Sequence, residues 1–158
     1  MFNRNQKGFG LLEVIIAVFI VAIGLVGILA LANISLKGPS LSRDRLIASG
    51  LAQEGIEVVR DMRRANAGWS NWHAAVPDGD WRVQYDSVGL IIPYSGAYLK
   101  MNANGLYQYD SGTETLFKRK ITLSKISADE VKIITEVNWQ TKGQTYTLTA
   151  EDRLWNWK

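Results

Sequence analysis

The pattern of hydrophobic positions passes from continuous to helical to alternating along the chain. From Val14 to Ala32 every residue is apolar or glycine. At about 1.5 Å of rise per residue, roughly 20 such residues cross a hydrocarbon core of about 30 Å. The run predicts a membrane-length helix beginning near Phe9 and continuing past Ala32. From Leu41 to about Asn66, Ala48, Leu51, Ala52, Gly55, Val58, Val59 and Met62 recur at three- and four-residue steps, while Arg43, Arg45, Gln53, Glu57, Arg60 and Arg64 lie off that stripe. This is an amphipathic helix with one face to cover. Gly38-Pro39 between the two runs predicts a kink or short break. Ser40 or Ser42 is the candidate cap of the renewed helix.

Residues 67–79 read as a loop, with Gly68, Ser70, Asn71, Pro77, Asp78 and Gly79 as breakers. Trp69 and Trp72 within it are expected to plug a core edge. From Asp80 the period becomes two: Trp81, Val83 and Tyr85 alternate with Arg82, Gln84 and Asp86. The apolar run Leu90–Ile92 ends at Pro93. Tyr98–Met101 and Leu106–Tyr109 flank Asn102-Ala103-Asn104-Gly105, a hairpin signal. Phe117, Ile121 and Leu123 share one strand face, with Arg119 interrupting it. Val131, Ile133, Thr135, Val137 and Trp139 form another such face. After a turn at Lys142-Gly143, Tyr146 and Leu148 alternate with threonines. These are antiparallel strands with one face buried. The fold class read from the pattern is α+β: a long N-terminal helix, its second half packed on an antiparallel sheet of about four to six strands.

One polar group stands against the long apolar run. Glu13 sits at its lip, in the stretch Lys7-Gly8-Phe9-Gly10-Leu11-Leu12-Glu13. A charge near the bilayer interior costs at least a few kcal/mol, so an acid there points to function. The stretch, a short basic leader with Gly, Phe, small or apolar residues and Glu directly before a spanning helix, resembles the class III signal of type IV prepilins and type II secretion pseudopilins. Leu51–Arg60, the Phe117–Thr122 strand and the closing Leu154–Trp157 resemble minor pilins of the modification-protein class, and Leu51–Arg60 also I-type pseudopilins. The resemblance implies cleavage by a prepilin peptidase between Gly8 and Phe9, N-methylation of Phe9, and a role for Glu13 in filament assembly. It divides the chain into a leader (1–8), a transmembrane and filament-core helix (9–37), an amphipathic helix half (38–66) and a globular β domain (67–158). The implied partners are the peptidase, other pilin subunits in a helical filament and the inner membrane before assembly. The implied location is a single-pass membrane protein with its C-terminal domain outside the cytoplasm, then a surface pilus or a periplasmic pseudopilus. A minor pilin, a secretion pseudopilin and a tip-located adhesion or DNA-binding pilin all share this signal.

Two other readings of the N-terminus compete. An ordinary signal peptide would use Arg4 and Lys7 as its basic region and Ala30-Leu31-Ala32 as its cleavage site; the apolar region is long for that, and Glu13 would open it. A plain anchor leaves Glu13 as an uncompensated cost. The chain also departs from the family it resembles. Many members carry Pro in the apolar span, where here Gly24 and Gly27 are the candidate soft points, and many major pilins close a loop with a disulfide, whereas this chain has no Cys.

Composition adds little chemistry. The 158 residues hold 18 Lys+Arg and 15 Asp+Glu, and loss of Arg4 and Lys7 with the leader would bring the balance close to neutral. Six Trp and six Tyr supply large burial areas in place of disulfides. No nucleophile motif, phosphate loop or paired-acid pattern stands out, so neither an enzyme nor a cofactor is expected. His73 alone in a polar loop is a poor metal ligand. Asp78 with Asp80, or Asp110 with Glu114, are loop acids of the kind that bind calcium, but their spacing matches no complete loop motif. Arg60, Arg63 and Arg64 with Lys118-Arg119-Lys120 are a candidate basic patch for nucleic acid.

Overall fold

The computed structural model describes residues 10–35, 38–66, 68–87 and 92–156. Contacts divide the chain into two units, Met1–Ser42 and Arg43–Lys158.

In the first unit, α1 (Leu11–Ser35) is apolar on every side. Its stretch Leu11–Asn33, 23 residues, is long and apolar enough to cross a membrane, and none of it is buried within the chain itself. A helix hydrophobic all round requires an apolar surrounding. Helix α2 (Gly38–Ala65) begins in this unit and continues into the second. It starts at Gly38, so Pro39 lies in its first turn, where a missing amide costs nothing. Gly38 and Pro39 are thus helical, without the kink or short break expected at them, and Ser40 and Ser42 lie inside the helix instead of capping it.

In the second unit the remainder of α2 buries the predicted stripe: Ala48, Leu51, Ala52, Val58, Val59 and Met62 are all nearly inaccessible. The unit also contains α3 (Trp69–Ala75). Its strands are β1 (Gly79–Arg82), β2 (Ile92–Pro93), β3 (Lys100–Met101), β4 (Tyr107–Gln108), β5 (Thr113–Glu114), β6 (Phe117–Ser127), β7 (Glu130–Thr141) and β8 (Gln144–Trp155). Among the described residues these form a five-stranded sheet, β2-β1-β6-β7-β8, and a three-stranded sheet, β4-β3-β5. Every pairing is antiparallel.

The alternation in β6 and β7 places Phe117, Ile121, Leu123, Val131, Ile133, Val137 and Trp139 in the core. Fully burying an aliphatic side chain contributes about 1.5–3 kcal/mol. The central approach of helix to sheet occurs at Gly55. A Cβ there would meet Thr135 Cγ2 at 3.0 Å and Ile121 Cδ1 at 3.2 Å. A methyl group there would crowd both side chains, so glycine in the stripe fits the close approach of the sheet.

Several expectations need correction. Residues 67–79 are not all loop, since α3 turns through seven of them. Trp69 and Trp72 do plug the core edge, with 6% and 3% of their surface exposed. The Trp69 Nε1–H also donates to the Ala128 carbonyl at 2.7 Å, tying α3 to the β6–β7 turn. The alternating run from Asp80 stops pairing at Arg82; Val83 is buried, but Tyr85 lies exposed in a turn. Pro93 is the last residue of β2. It pairs with Trp81 on the sheet's edge, the place in a sheet where a residue without an amide proton is tolerated. The hairpin at Asn102–Gly105 joins β3 to β4 as expected. The small sheet that it begins was not anticipated as a separate layer. Leu99, fully buried, donates its amide to the Phe117 carbonyl at 2.8 Å and so docks that sheet on the large one.

Candidate functional site

Gly10 opens α1. Its carbonyl accepts the Glu13 amide at 3.0 Å and the Val14 amide at 3.3 Å. Glu13 thus lies in the first turn, where free backbone amides and the helix dipole favour an anion. Its side chain is exposed and has no ion-pair partner among the described residues. Leu11 and Leu12 beside it are 81% and 71% exposed. Gly8 and Phe9, the two positions expected at the cleavage point, lie outside the described residues. A Cβ at Gly24 or Gly27 would meet nothing within 4 Å, so both leave a shallow, open strip on the helix. Small residues at such positions let neighbouring helices approach closely in lipid.

The second unit carries most of the charge, and that charge is largely paired internally. Arg119 is completely buried. It donates to the Leu51 carbonyl at 3.0 Å and the Val83 carbonyl at 2.7 Å, and its Nη1 lies 3.1 Å from Glu54 Oε1. Arg60 donates to Asp152 on β8 and to Glu57 at 3.0 Å each; these bonds, that to Asp152 foremost, raise its pKa. Arg64 holds Glu57 and Asp61. The Arg63 guanidinium lies 5.4 Å from the Trp69 ring centroid. Lys118 sits over Tyr98, and Lys120 faces Asp80 and Glu136. Of the basic patch expected from Arg60, Arg63, Arg64 and Lys118-Arg119-Lys120, Arg119 is in the core, and the others are matched by carboxylates or rings.

Three of the four loop acids accept hydrogen bonds within the fold. Asp78 accepts the Lys125 amide, Asp80 the Thr122 hydroxyl and Asp110 the Gln84 side-chain amide, each at 2.6 Å. Among the described residues no group of three or more His, Asp or Glu gathers to hold a metal ion. His73 stacks on Trp69, and its Nε2 lies 3.0 Å from the Ser127 carbonyl.

Glu54 was missed as Arg119's counterion. The interruption of the inward face of β6 by Arg119 was the visible half of that pair. Its other half lies on α2, where a glutamate next to a stripe looks like any solvated acid.

Residues 3–29 match the family model described as the prokaryotic N-terminal methylation motif. No curated protein matches the chain. No solved structure matches it either. The motif indicates the type IV pilin and pseudopilin family, whose members are structural rather than enzymatic, and leaves the subclass open. Such a signal implies processing by a prepilin peptidase and assembly with pilins, and is typical of proteins that pass from the membrane to a pilus or pseudopilus.

Proposed function

We propose that this chain is a minor pilin: cleaved between Gly8 and Phe9, methylated on the new Phe9 amine, and inserted into a filament through α1. The observation that carries the reading is the placement of Glu13, an exposed acid in the first turn of a helix that is otherwise apolar on every side. In the membrane this carboxylate is poorly solvated, and α1 offers it no basic side chain. Cleavage would create an ammonium at Phe9, four residues earlier. Within one subunit the two groups are i, i+4 neighbours on a helix. In a filament the same ammonium would meet Glu13 of an adjacent subunit and set the axial register. A complete buried pair is tolerated where a half-pair is not, by about 3–5 kcal/mol.

In this reading residues 1–8 are a leader that keeps the N-terminus in the cytoplasm through Arg4 and Lys7. Residues 9–37 form the membrane and filament-core helix, 38–66 the amphipathic half, and 67–158 the β domain displayed outside the cytoplasm. Internal pairing of the basic side chains speaks against a nucleic-acid role for that domain. The test is the intact mass of protein isolated from membranes, which should correspond to a chain beginning at Phe9 with one added methyl group. A mature chain beginning at Asn33 would instead identify a conventionally secreted protein and end this reading.

A further inference from the structure

Many cations of the second unit are matched by carboxylates or rings, but those where the chain enters it point to solvent. At this entry end α2 lies beside the β7–β8 turn, and the Thr141 hydroxyl donates to Asp44 Oδ2 at 3.0 Å. The other end of α2 leads to α3, which Trp69 ties to the β6–β7 turn. The entry end therefore carries Arg43, Arg45 and Lys142. All three are exposed, and the Arg43 side chain is 76% accessible. Arg45 and Lys142 have no ion-pair partner among the described residues. Asp44, 3.9 Å from Arg43, is turned into the fold and is 4% exposed. Gly143, Gln144 and Thr145, which follow Lys142, add no acid. Leu46 lies one helical turn from Arg43 and is 75% exposed. Outside α1 no other large hydrophobic side chain among the described residues is as exposed.

We propose, on the reading of α1 as a membrane span, that this entry end rests on anionic phospholipid headgroups through Arg43, Arg45 and Lys142, with Leu46 entering the headgroup boundary. The short tether selects this partner. Only residues 36–42 separate Ser35, the last residue of α1, from Arg43. A residue spans at most about 3.6 Å, and about 1.5 Å where Gly38–Ser42 are helical. Such a tether brings the entry end to the headgroup layer, where acidic lipid is held at high local concentration. A soluble acidic partner would have to be captured from solution instead. Long cationic side chains reach phosphates while their stems and a neighbouring leucine cover apolar surface, the pattern of an interfacial segment. Each such cation strengthens attachment to an anionic surface about fivefold. The attraction falls off within a Debye length of the surface. It therefore holds the β domain down while the chain waits in the membrane, and lapses once a subunit leaves the bilayer.

The chain contains no cysteine, so a single introduced thiol can carry a fluorophore. Gln144→Cys, paired with Thr141, marks the entry end, and Ala128→Cys marks the exposed β6–β7 turn. The full chain with either label is placed in nanodiscs carrying a headgroup-linked quencher. The discs are made of phosphatidylcholine alone or mixed with phosphatidylglycerol. Quenching at position 144 should be at least about twofold stronger in the anionic discs. It should fall to the phosphatidylcholine level at about 1 M salt, where the Debye length is about 3 Å. Position 128 should respond to neither change. Arg43→Gln, Arg45→Gln and Lys142→Gln combined should bring quenching at 144 in anionic discs down to the neutral level, with the circular dichroism spectrum unchanged. Equal quenching at 144 in both lipids would show tethering without recognition and overturn the proposal, with no substitution in the patch required. A folded triple variant quenched like the parent would overturn it too. A chain that fails to co-migrate with the discs would remove the membrane reading of α1 and this inference with it, and that failure is seen before any quenching is measured.

Discussion

Arg119 on β6 and Glu54 on α2 form an ion pair of 3.1 Å across the helix–sheet interface, with the arginine side chain wholly inaccessible and the glutamate about one-third exposed. The guanidinium also caps two carbonyls, those of Leu51 and Val83, so one cation links α2, β6 and the segment after β1. A buried charge costs several kcal/mol unless it is paired and hydrogen-bonded. Glu54→Gln removes the counterion but keeps a polar side chain of the same shape. It should destabilise the fold by about 1–3 kcal/mol in urea unfolding, an effect moderated by the exposed side of Glu54. Arg119→Met, which also leaves two carbonyls unpaired, should cost more. A loss within 0.5 kcal/mol for both variants would mean that the pair contributes nothing to stability.

Two glycines on α2 should respond to alanine with opposite signs. A Cβ at Gly55 would meet Thr135 and Ile121 at 3.0–3.2 Å, a crowding that costs about 1–3 kcal/mol in a packed core. Gly50, exposed on the same helix, would have nothing within 4 Å, and alanine should stabilise there by up to about 1 kcal/mol. Thermal melts of the two variants check the contrast. The same sign for both would place the closest helix–sheet approach elsewhere.

Alkaline sensitivity should trace to Tyr109. Its hydroxyl donates to the Arg119 carbonyl at 3.0 Å, and burial raises its pKa above the ordinary 10.0. The folded chain therefore keeps this proton where the unfolded chain has lost it. The associated stability is fully present below pH 10 and is lost as pH rises through the folded-state pKa. Tyr109→Phe should be somewhat less stable at neutral pH, for want of the hydrogen bond, and should lose less stability than the parent in unfolding measured between about pH 9 and 11. An identical alkaline slope in both would assign the sensitivity to another group.

The assembly role proposed for Glu13 is separable from processing. Glu13→Val keeps Gly8, Phe9 and the apolar run, so the variant should insert and be cleaved normally. It should enter filaments at least tenfold less often than tagged wild-type subunits expressed beside it, or lose the Phe9 methyl group. Counting both forms in sheared filaments measures this directly. Equal incorporation together with normal methylation would leave Glu13 without a function.

The periodic parts of the chain were legible without coordinates. The unbroken run to Ala32, the stripe from Ala48 to Met62 and the alternation from Val131 to Trp139 each repeat at the spacing of the structure they form. Each residue's own neighbours therefore report which side meets the core. The turn at Lys142-Gly143 was equally local: both residues have positive φ, 53° and 80°, a conformation that glycine adopts freely. The tertiary structure decided what no local window contains. Helix α3 is too short to show a period, and so short a helix is marginal in isolation; here burial of Trp69 and Trp72 supports it. The small sheet rests on strands of two residues each, held through Leu99 to a strand later in the chain. Arg119 appeared in the sequence only as an irregularity in a buried face. Whether such an arginine bends out to solvent or stays in the core depends on what lies across from it, and Glu54 and the Leu51 and Val83 carbonyls are all distant in sequence. Periodicity is set by adjacent residues, whereas the pairing of a buried charge is set by whichever elements the fold brings together.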